Sequence, residues 1–170
     1  MSAQPVVKSL FVLAFVWCVA SALAQPAPAN SNLTPYGPPV NLETAKKAAA
    51  ASLAETRKNG WNMAVAVVDP GGNLVYYEKM DNTQLGSAKI SVNKARSAAL
   101  FKRPTKAFQD ALAGGGVGLR VLGLEGAVPV EGGFPLVVDG AIIGGIGLSG
   151  DTSEHDAQCA KAGADSLQKP

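Results

Sequence analysis

The chain is poor in the residues from which catalytic and metal sites are usually built. Its 170 residues include two cysteines and one histidine, His155. A zinc site of standard spacing needs several Cys or His ligands, so one copy of the chain cannot provide it. A serine–histidine–carboxylate triad would have to use His155, and no serine lies in the sequence of a nucleophile elbow. The composition thus argues against the most familiar hydrolases and zinc proteins.

A strong net charge and a pair of cysteines in the mature chain are also missing. The formal net charge is +2, which argues against a nucleic-acid binder. Cys18 lies in an N-terminal apolar run, and its removal with that run would leave Cys159 alone, so no disulfide could form within one chain. We expect Cys159 to be a small buried residue on a helix.

Long apolar runs are equally scarce. The N-terminal run, residues 10–20, follows Lys8 and is about half as long as a membrane span requires. Small residues at 21–24 then offer a site for signal peptidase. We predict a signal peptide over residues 1–24 and a mature protein located in the periplasm or secreted, without stable insertion into a membrane.

The segment that follows has the composition of a linker. Residues 25–40 carry five prolines among Ala, Asn and Ser. Such a stretch cannot offset its ordering entropy by burial, so we predict an extended or mobile tether. The remaining residues, 41–170, are enough for one domain with its own core.

Apolar periodicity and capping residues predict four helices in this domain. Asn41 is suited to cap the first helix, which Gly60 ends. Ser153 is predicted to cap the last helix, with Asp156 in capping-box position. The predicted helical ranges are 42–59, 87–102, 104–113 and 153–167.

Short β-rich runs and turn residues predict the strands. The turn at residues 70–73 and the Asp139-Gly140 pair each join two neighbouring runs, which favours antiparallel pairing. We therefore predict an α+β fold, a five-stranded antiparallel sheet with packed helices that resembles profilin-like folds. The predicted strands are residues 63–68, 74–80, 127–130, 134–138 and 141–148.

One glycine motif resembles a nucleotide site. Residues 145–150, GIGLSG, match the dinucleotide-binding fingerprint. Too few residues follow for the helix, second strand and acidic ribose partner that this site needs. We interpret these glycines as positions where a strand and a helix approach closely.

An acid-free segment predicts where a ligand would bind. Residues 82–109 contain no Asp or Glu but six cations, among them Lys94 and Arg96. Such a run is either a solvated helix face or a site for an anion. On the second interpretation Lys94 or Arg96 would lie closest to the carboxylates of the ligand.

Three further side chains have both a structural and a functional interpretation. His155 is either an exposed histidine in an acidic helix turn or an axial metal ligand flanked by carboxylates. Asp81 either caps a loop or faces a ligand. Glu131 precedes two glycines, which would allow close approach of the backbone to a ligand.

The motifs together resemble the GlcG/HbpS family of small haem-binding proteins, which is related to the C-terminal domain of PduO-type corrinoid adenosyltransferases. The resemblance covers about residues 42–167, and Lys79 and His155 depart from the pattern expected for the family. The family pattern is carried by 67–69 with 71–74, Met80-Asp81, Lys94-Ala95 with 98–99, Phe101, 104–105, 132–135, 139–140, 144–150, Asp156, Ala160 and Gly163.

The resemblance implies an oligomeric protein, some of whose relatives bind haem or take part in its breakdown. We therefore expect an exported haem-binding protein with possible storage or degrading activity, in which Phe101 and the cations around Lys94 bind the ligand. His155, Met80, Tyr76 and Tyr77 are the candidate iron ligands. The alternative is a protein of glycolate, diol or corrinoid metabolism that binds a small organic acid without haem, with Asp81 or Glu131 as acid or base. A homo-oligomer without a ligand is a third possibility.

Overall fold

The structure, a computed structural model, describes residues 34–168. The predicted signal peptide and residues 25–33 of the predicted tether lie outside this part. The helices are α1 (Leu42–Lys58), α2 (Ser87–Phe101), α3 (Lys106–Ala113) and α4 (Ser153–Asp165), and the strands are β1 (Ala64–Val68), β2 (Leu74–Lys79), β3 (Gly133–Val138) and β4 (Ala141–Ser149). A further helical stretch, Gly116–Gly123, is called the 3-10 segment below.

The sheet has the strand order β2-β1-β4-β3 with antiparallel neighbours. The predicted α+β class is confirmed, but the prediction of five strands is wrong, because residues 127–130 do not join the sheet. Pro129 lacks a backbone N–H, and the N–H of Val128 donates to Ser97 Oγ at 3.1 Å instead of to a strand. Helix α2 thus holds this segment away from the sheet.

The predicted hairpin turn between β3 and β4 is confirmed. Asp139 and Gly140 have φ values of 50° and 74°, the left-handed pair that a type I′ turn requires. At the start of α4 the cap differs by one residue from the prediction. Thr152 rather than Ser153 is the N-cap, and its hydroxyl accepts the N–H of His155 at 3.3 Å.

Helices cover both faces of the sheet. Helices α1 and α4 pack on one face, where Leu53, Val65, Ile146 and Cys159 belong to one apolar core. Helix α2 packs on the other face and lies very close to β4. A Cβ atom built on Gly145 would lie 3.1 Å from the Cβ of Ala99, which is tighter than ordinary contact. This close approach supports the structural interpretation of the β4 glycines.

The described end of the predicted tether is bonded to the sheet. Residues 34–40, called the N-terminal strap below, lie along β4 beyond its last pairing with β1. The N–H of Gly37 donates to Ile142 O at 2.9 Å, and that of Val40 donates to Ile143 O at 2.8 Å. Of the two predicted forms of the tether, extended or mobile, these residues have the extended one, because the free edge of β4 satisfies their backbone groups.

Candidate functional site

A pocket of about 620 Å³ lies between α3 and the 3-10 segment. This volume falls within the range of small-molecule sites. Arg103, Arg120 and Asp110 are its charged lining residues. Its larger apolar lining residues are Phe108, Val117, Val121 and Leu124.

The first turn of α3 fixes one wall of the pocket to the sheet. The N–H of Thr105 donates to Gly133 O at 3.0 Å, and the Thr105 hydroxyl accepts the N–H of Gly133 at 3.0 Å. Helix α3 is therefore joined to the start of β3 by two reciprocal bonds. Asp110, which also lines the pocket, pairs with Lys106 at 2.7 Å, and both side chains are largely exposed.

An aromatic pair forms the back of the pocket. Phe108 is buried, and its ring meets the ring of Phe101 edge to face at 5.3 Å. The Arg103 guanidinium carbon lies 5.6 Å from the centre of the Phe108 ring, and Arg103 Nε donates to Phe101 O at 3.1 Å. Phe101, predicted from the sequence to contact a ligand, thus supports the pocket from behind.

Glycines allow the opposite wall to turn back onto α3. Gly115 and Gly116 have φ values of 62° and 53°, which favour glycine. Gly118 lies against the backbone of Ala111 too closely for a side chain. The sequence analysis did not identify this wall, and Arg120 was missed with it. The recurrence of Val117, Arg120 and Gly123 at a spacing of three, which puts all three on one side of a 3-10 helix, was the available signal.

Lys94 does not lie on the exposed face where a ligand was predicted to bind. Its side chain is 1% exposed, and its ammonium nitrogen lies 2.7 Å from Asp156 Oδ2. Burial raises the pKa of Asp156, and the neighbouring Lys94 partly offsets that rise. The expectation that Lys94 contacts a bound anion directly is therefore wrong for a single chain, since the partner of Lys94 is a buried carboxylate.

The other predicted cations do not form one basic face either. Arg96 Nε donates to Gly72 O at 2.8 Å, in the turn between β1 and β2. The Lys102 ammonium contacts the N-terminal strap, 3.0 Å from Thr34 O. Successive residues of a helix point in different directions, so an acid-free stretch of sequence is distributed around α2 rather than collected on one side.

The structure does not bring the remaining predicted residues together. Glu131 is buried at the start of β3, with Lys106 3.8 Å from its carboxylate. Asp81 is exposed, and Met80 packs against the core of the α1 and α4 layer. The Tyr76 hydroxyl donates to Glu78 at 2.7 Å, and this bond raises the pKa of Tyr76. Tyr77 lies on β2 and is partly exposed.

His155 is held in one orientation at the start of α4. Its Nδ1 lies 2.7 Å from Asp151 Oδ1, and its ring stacks on Trp61 with 3.9 Å between ring centres. The backbone N–H of Thr152 and the imidazole of His155 lower the pKa of Asp151. A carboxylate on one ring nitrogen is the usual arrangement of metal-binding histidines. His155 does not line the pocket, however, and residues 34–168 contain no cluster of three or more His, Cys, Asp or Glu suited to a metal ion.

The fold and the pocket define a small α+β protein with a cavity of ligand size beside its single sheet. The chain belongs to the HbpS-like family, because the family model described as "Haem degrading protein HbpS-like" matches residues 40–165. The predicted resemblance is therefore confirmed.

Individual relatives agree with this assignment. The chain is 42% identical to Protein GlcG of Escherichia coli (strain K12) over 100 residues, which are 59% of this chain and 73% of GlcG. It is 31% identical over 104 residues to the corrinoid adenosyltransferase PduO of Salmonella typhimurium, covering 58% of this chain and 30% of PduO. The crystal structure of a double mutant of Streptomyces reticuli HbpS superimposes with a TM-score of 0.71 at 31% identity, covering 85% of this chain and 97% of HbpS.

Within residues 34–168, every helix is too short or too polar to cross a membrane.

Proposed function

We propose that this protein binds haem in the pocket between α3 and the 3-10 segment. The observation that carries the proposal is the lining of that pocket, which combines apolar walls with two guanidinium groups and one carboxylate, Asp110, that is paired with Lys106. Membership of the HbpS-like family supports haem as the ligand. The flat, apolar faces of the porphyrin would contact Phe108, Val121 and Leu124, and its two carboxylates would lie at Arg103 and Arg120.

The residues fit the organic part of haem better than its iron. Arginine is suited to carboxylates because its planar donors pair with both oxygens. No His, Met, Cys or Tyr is among the described residues that line the pocket, so an axial ligand would have to come from elsewhere. When bound, haem would supply a redox-active iron centre, while the chain would orient its ring and exclude water from one face.

Absorbance titration with haem at fixed salt tests this proposal. Arg120→Ala should weaken binding about ten- to a hundredfold, because a charge-assisted bond to a carboxylate contributes roughly 1.5–3 kcal/mol. Val117→Asp should also weaken binding, since it places a carboxylate on an apolar wall. The matched control is Lys89→Ala, which removes an exposed cation from α2. Unchanged affinity in both pocket variants would exclude the pocket as the haem site.

His155 supports a second location for the iron. Its Nδ1 is bonded to Asp151, so Nε2 is the nitrogen left to coordinate a metal. His155→Ala, titrated in parallel, distinguishes the two locations. If His155→Ala alone changes the absorption spectrum of the complex and Arg120→Ala does not, the iron binds at α4 rather than in the pocket.

The pocket also suits a small organic acid, which is the alternative function. Arg103 and Arg120 would hold its carboxylate as they would hold a haem propionate. A parent protein that shows no Soret shift with haem, but binds a carboxylate in an Arg120-dependent manner by calorimetry, would establish this alternative. If haem does bind, its absorbance followed over time with ascorbate distinguishes degradation from storage.

We propose in addition that the mature chain is exported and assembles with copies of itself. The small residues at 21–24 support cleavage before Gln25. Val117, Leu119 and Leu122 are 81%, 53% and 70% exposed, which supports a further interface along the 3-10 segment. Intact mass with Met1 retained would contradict export, and a monomer mass in light scattering would contradict assembly.

A further inference from the structure

The N-terminal strap is connected to the pocket by a continuous series of contacts. It begins at Tyr36, which bridges to Ile142 of β4. The Tyr36 hydroxyl lies 3.1 Å from Ala99 O and 3.0 Å from Leu100 O. Both carbonyls belong to the last turn of α2, and Ala99 O also accepts the N–H of Lys102 at 3.4 Å. Tyr36 therefore ties the strap to the end of α2.

The next contact is made by Lys102, the residue that ends α2. Its φ is 54°, a left-handed conformation that costs energy for a residue with a side chain. Its ammonium lies 4.2 Å from the centre of the Tyr36 ring and 3.0 Å from Thr34 O. The cation–π contact and the hydrogen bond stabilise Lys102 in this conformation.

Arg103 follows directly and lines the pocket. The backbone conformation of Lys102 sets the direction in which the chain, and so Arg103, leaves α2. Arg103 is then steadied by Phe101 O and by the face of Phe108. Any change in Lys102 would therefore be transmitted to the guanidinium that faces the pocket.

We infer that the N-terminal strap positions Arg103, so that Tyr36 and Lys102 control how the pocket binds the carboxylate of its ligand. Tyr36 and Lys102 are positioning residues, because neither lines the pocket itself. For the identity of the ligand this inference rests on the proposed haem function. For the position of Arg103 it rests on the contacts alone.

A strap that positions Arg103 can be distinguished from a strap that only stabilises the fold by which ligands lose affinity when the strap is altered. Loss of a structural contact would weaken the binding of every ligand, whereas displacement of Arg103 weakens only the part of the affinity that depends on carboxylates. Haem and its dimethyl ester share the same ring and iron and differ in those carboxylates. The two probes therefore separate the roles.

The experiment uses Tyr36→Phe, which removes the hydroxyl, and Lys102→Met, which removes the ammonium. Both should weaken haem binding about five- to tenfold and leave the dimethyl ester nearly unaffected. In an Arg103→Ala background the same substitutions should have no further effect on haem. Lys47→Met and Lys89→Met are the matched controls, since both parent residues are exposed and lie outside the strap and the pocket.

The NMR signal of the Arg103 Nε–H group in the ligand-free protein gives a readout that needs no haem. We expect it to shift in Tyr36→Phe and Lys102→Met and to stay in place in the controls. A parent protein that fails to bind haem would contradict the proposed function, while the shift would still support the strap. Normal haem affinity and an unmoved Arg103 signal in both strap variants would overturn the inference.

Discussion

The layer formed by α1 and α4 differs from the region of α3 and the 3-10 segment in how much apolar surface it buries. On one side α1 and α4 bury an apolar core that includes Leu53 and Cys159, both at most 2% exposed. On the other side, past α2, helix α3 and the 3-10 segment each bury one side chain, Phe108 and Val121. The first region holds the fold together, and the second leaves apolar surface for a ligand or a partner. Stability and binding therefore reside in different parts of this small protein.

The largest expected effect compares two ion pairs of equal length. Lys94 and Lys106 each lie 2.7 Å from a carboxylate, but the first pair is buried and the second exposed. Lys94→Met should lower the free energy of unfolding by about 3–5 kcal/mol, because it leaves the Asp156 carboxylate buried without its partner. Asp110→Asn should cause no measurable change, because it breaks only the exposed pair and leaves Lys106 beside Glu131. Urea denaturation of both variants makes the comparison.

The Lys94 result also has an internal control. Lys94→Met combined with Asp156→Leu removes both charges, so it should recover most of the lost stability. If Lys94→Met is as stable as the parent, the pair of Lys94 and Asp156 contributes nothing to the free energy of unfolding.

Glycines provide the next comparison. A Cβ atom on Gly147 would lie 3.0 Å from Lys94 Cβ, against α2, whereas one on Gly123 would have nothing within 4 Å. Gly147→Ala should cost about 1–3 kcal/mol of unfolding free energy by overpacking. Gly123→Ala, in the open region, should be close to neutral. Thermal unfolding of both proteins tests this, and a similar loss in each would mean that the two regions are equally tight.

The smallest effect concerns acid. The pKa of Asp151 is lowered by the Thr152 N–H and by His155, so the folded protein binds this proton less readily than the unfolded chain. The resulting stability is present above about pH 4 and is lost as the pH falls through the lowered pKa. Asp151→Asn removes this titrating group. As the pH falls from 5 to about 2–3, the melting temperature of Asp151→Asn should therefore decrease slightly less than that of the parent. An identical pH profile would show that the His155 contact contributes nothing to folding.

Most helices and strands could be predicted from local sequence patterns. The errors of that prediction have specific physical causes. The Asp139-Gly140 turn and the α2 stripe of Ala95 and Ala99 follow from residue type and spacing. Residues 127–130 have the composition of a strand, but Ser97 and Gln109 bond the backbone at Val128 and Glu131. Side chains from two helices thus replaced the expected strand partner.

The candidate site could be predicted from the sequence only in part. Phe101 was identified through the family resemblance, and it backs the pocket through its contact with Phe108. Lys94 was identified for its charge, although its burial depends on Asp156, 62 residues away. Arg120 was missed because the segment around it is rich in glycine and lies between the predicted helices and strands.

The sequence by itself determined the α+β class and most of the elements, and its motifs identified the family. The class and the elements follow from composition and from interactions between residues close in the chain, whereas the family follows from the resemblance of the motifs. Only the tertiary structure decided which cations are buried, that residues 34–40 dock on β4, and that a pocket opens beside α3. Each of those outcomes depends on contacts between distant residues, such as Tyr36 with Ala99 at a separation of 63, and local periodicity carries no information about them.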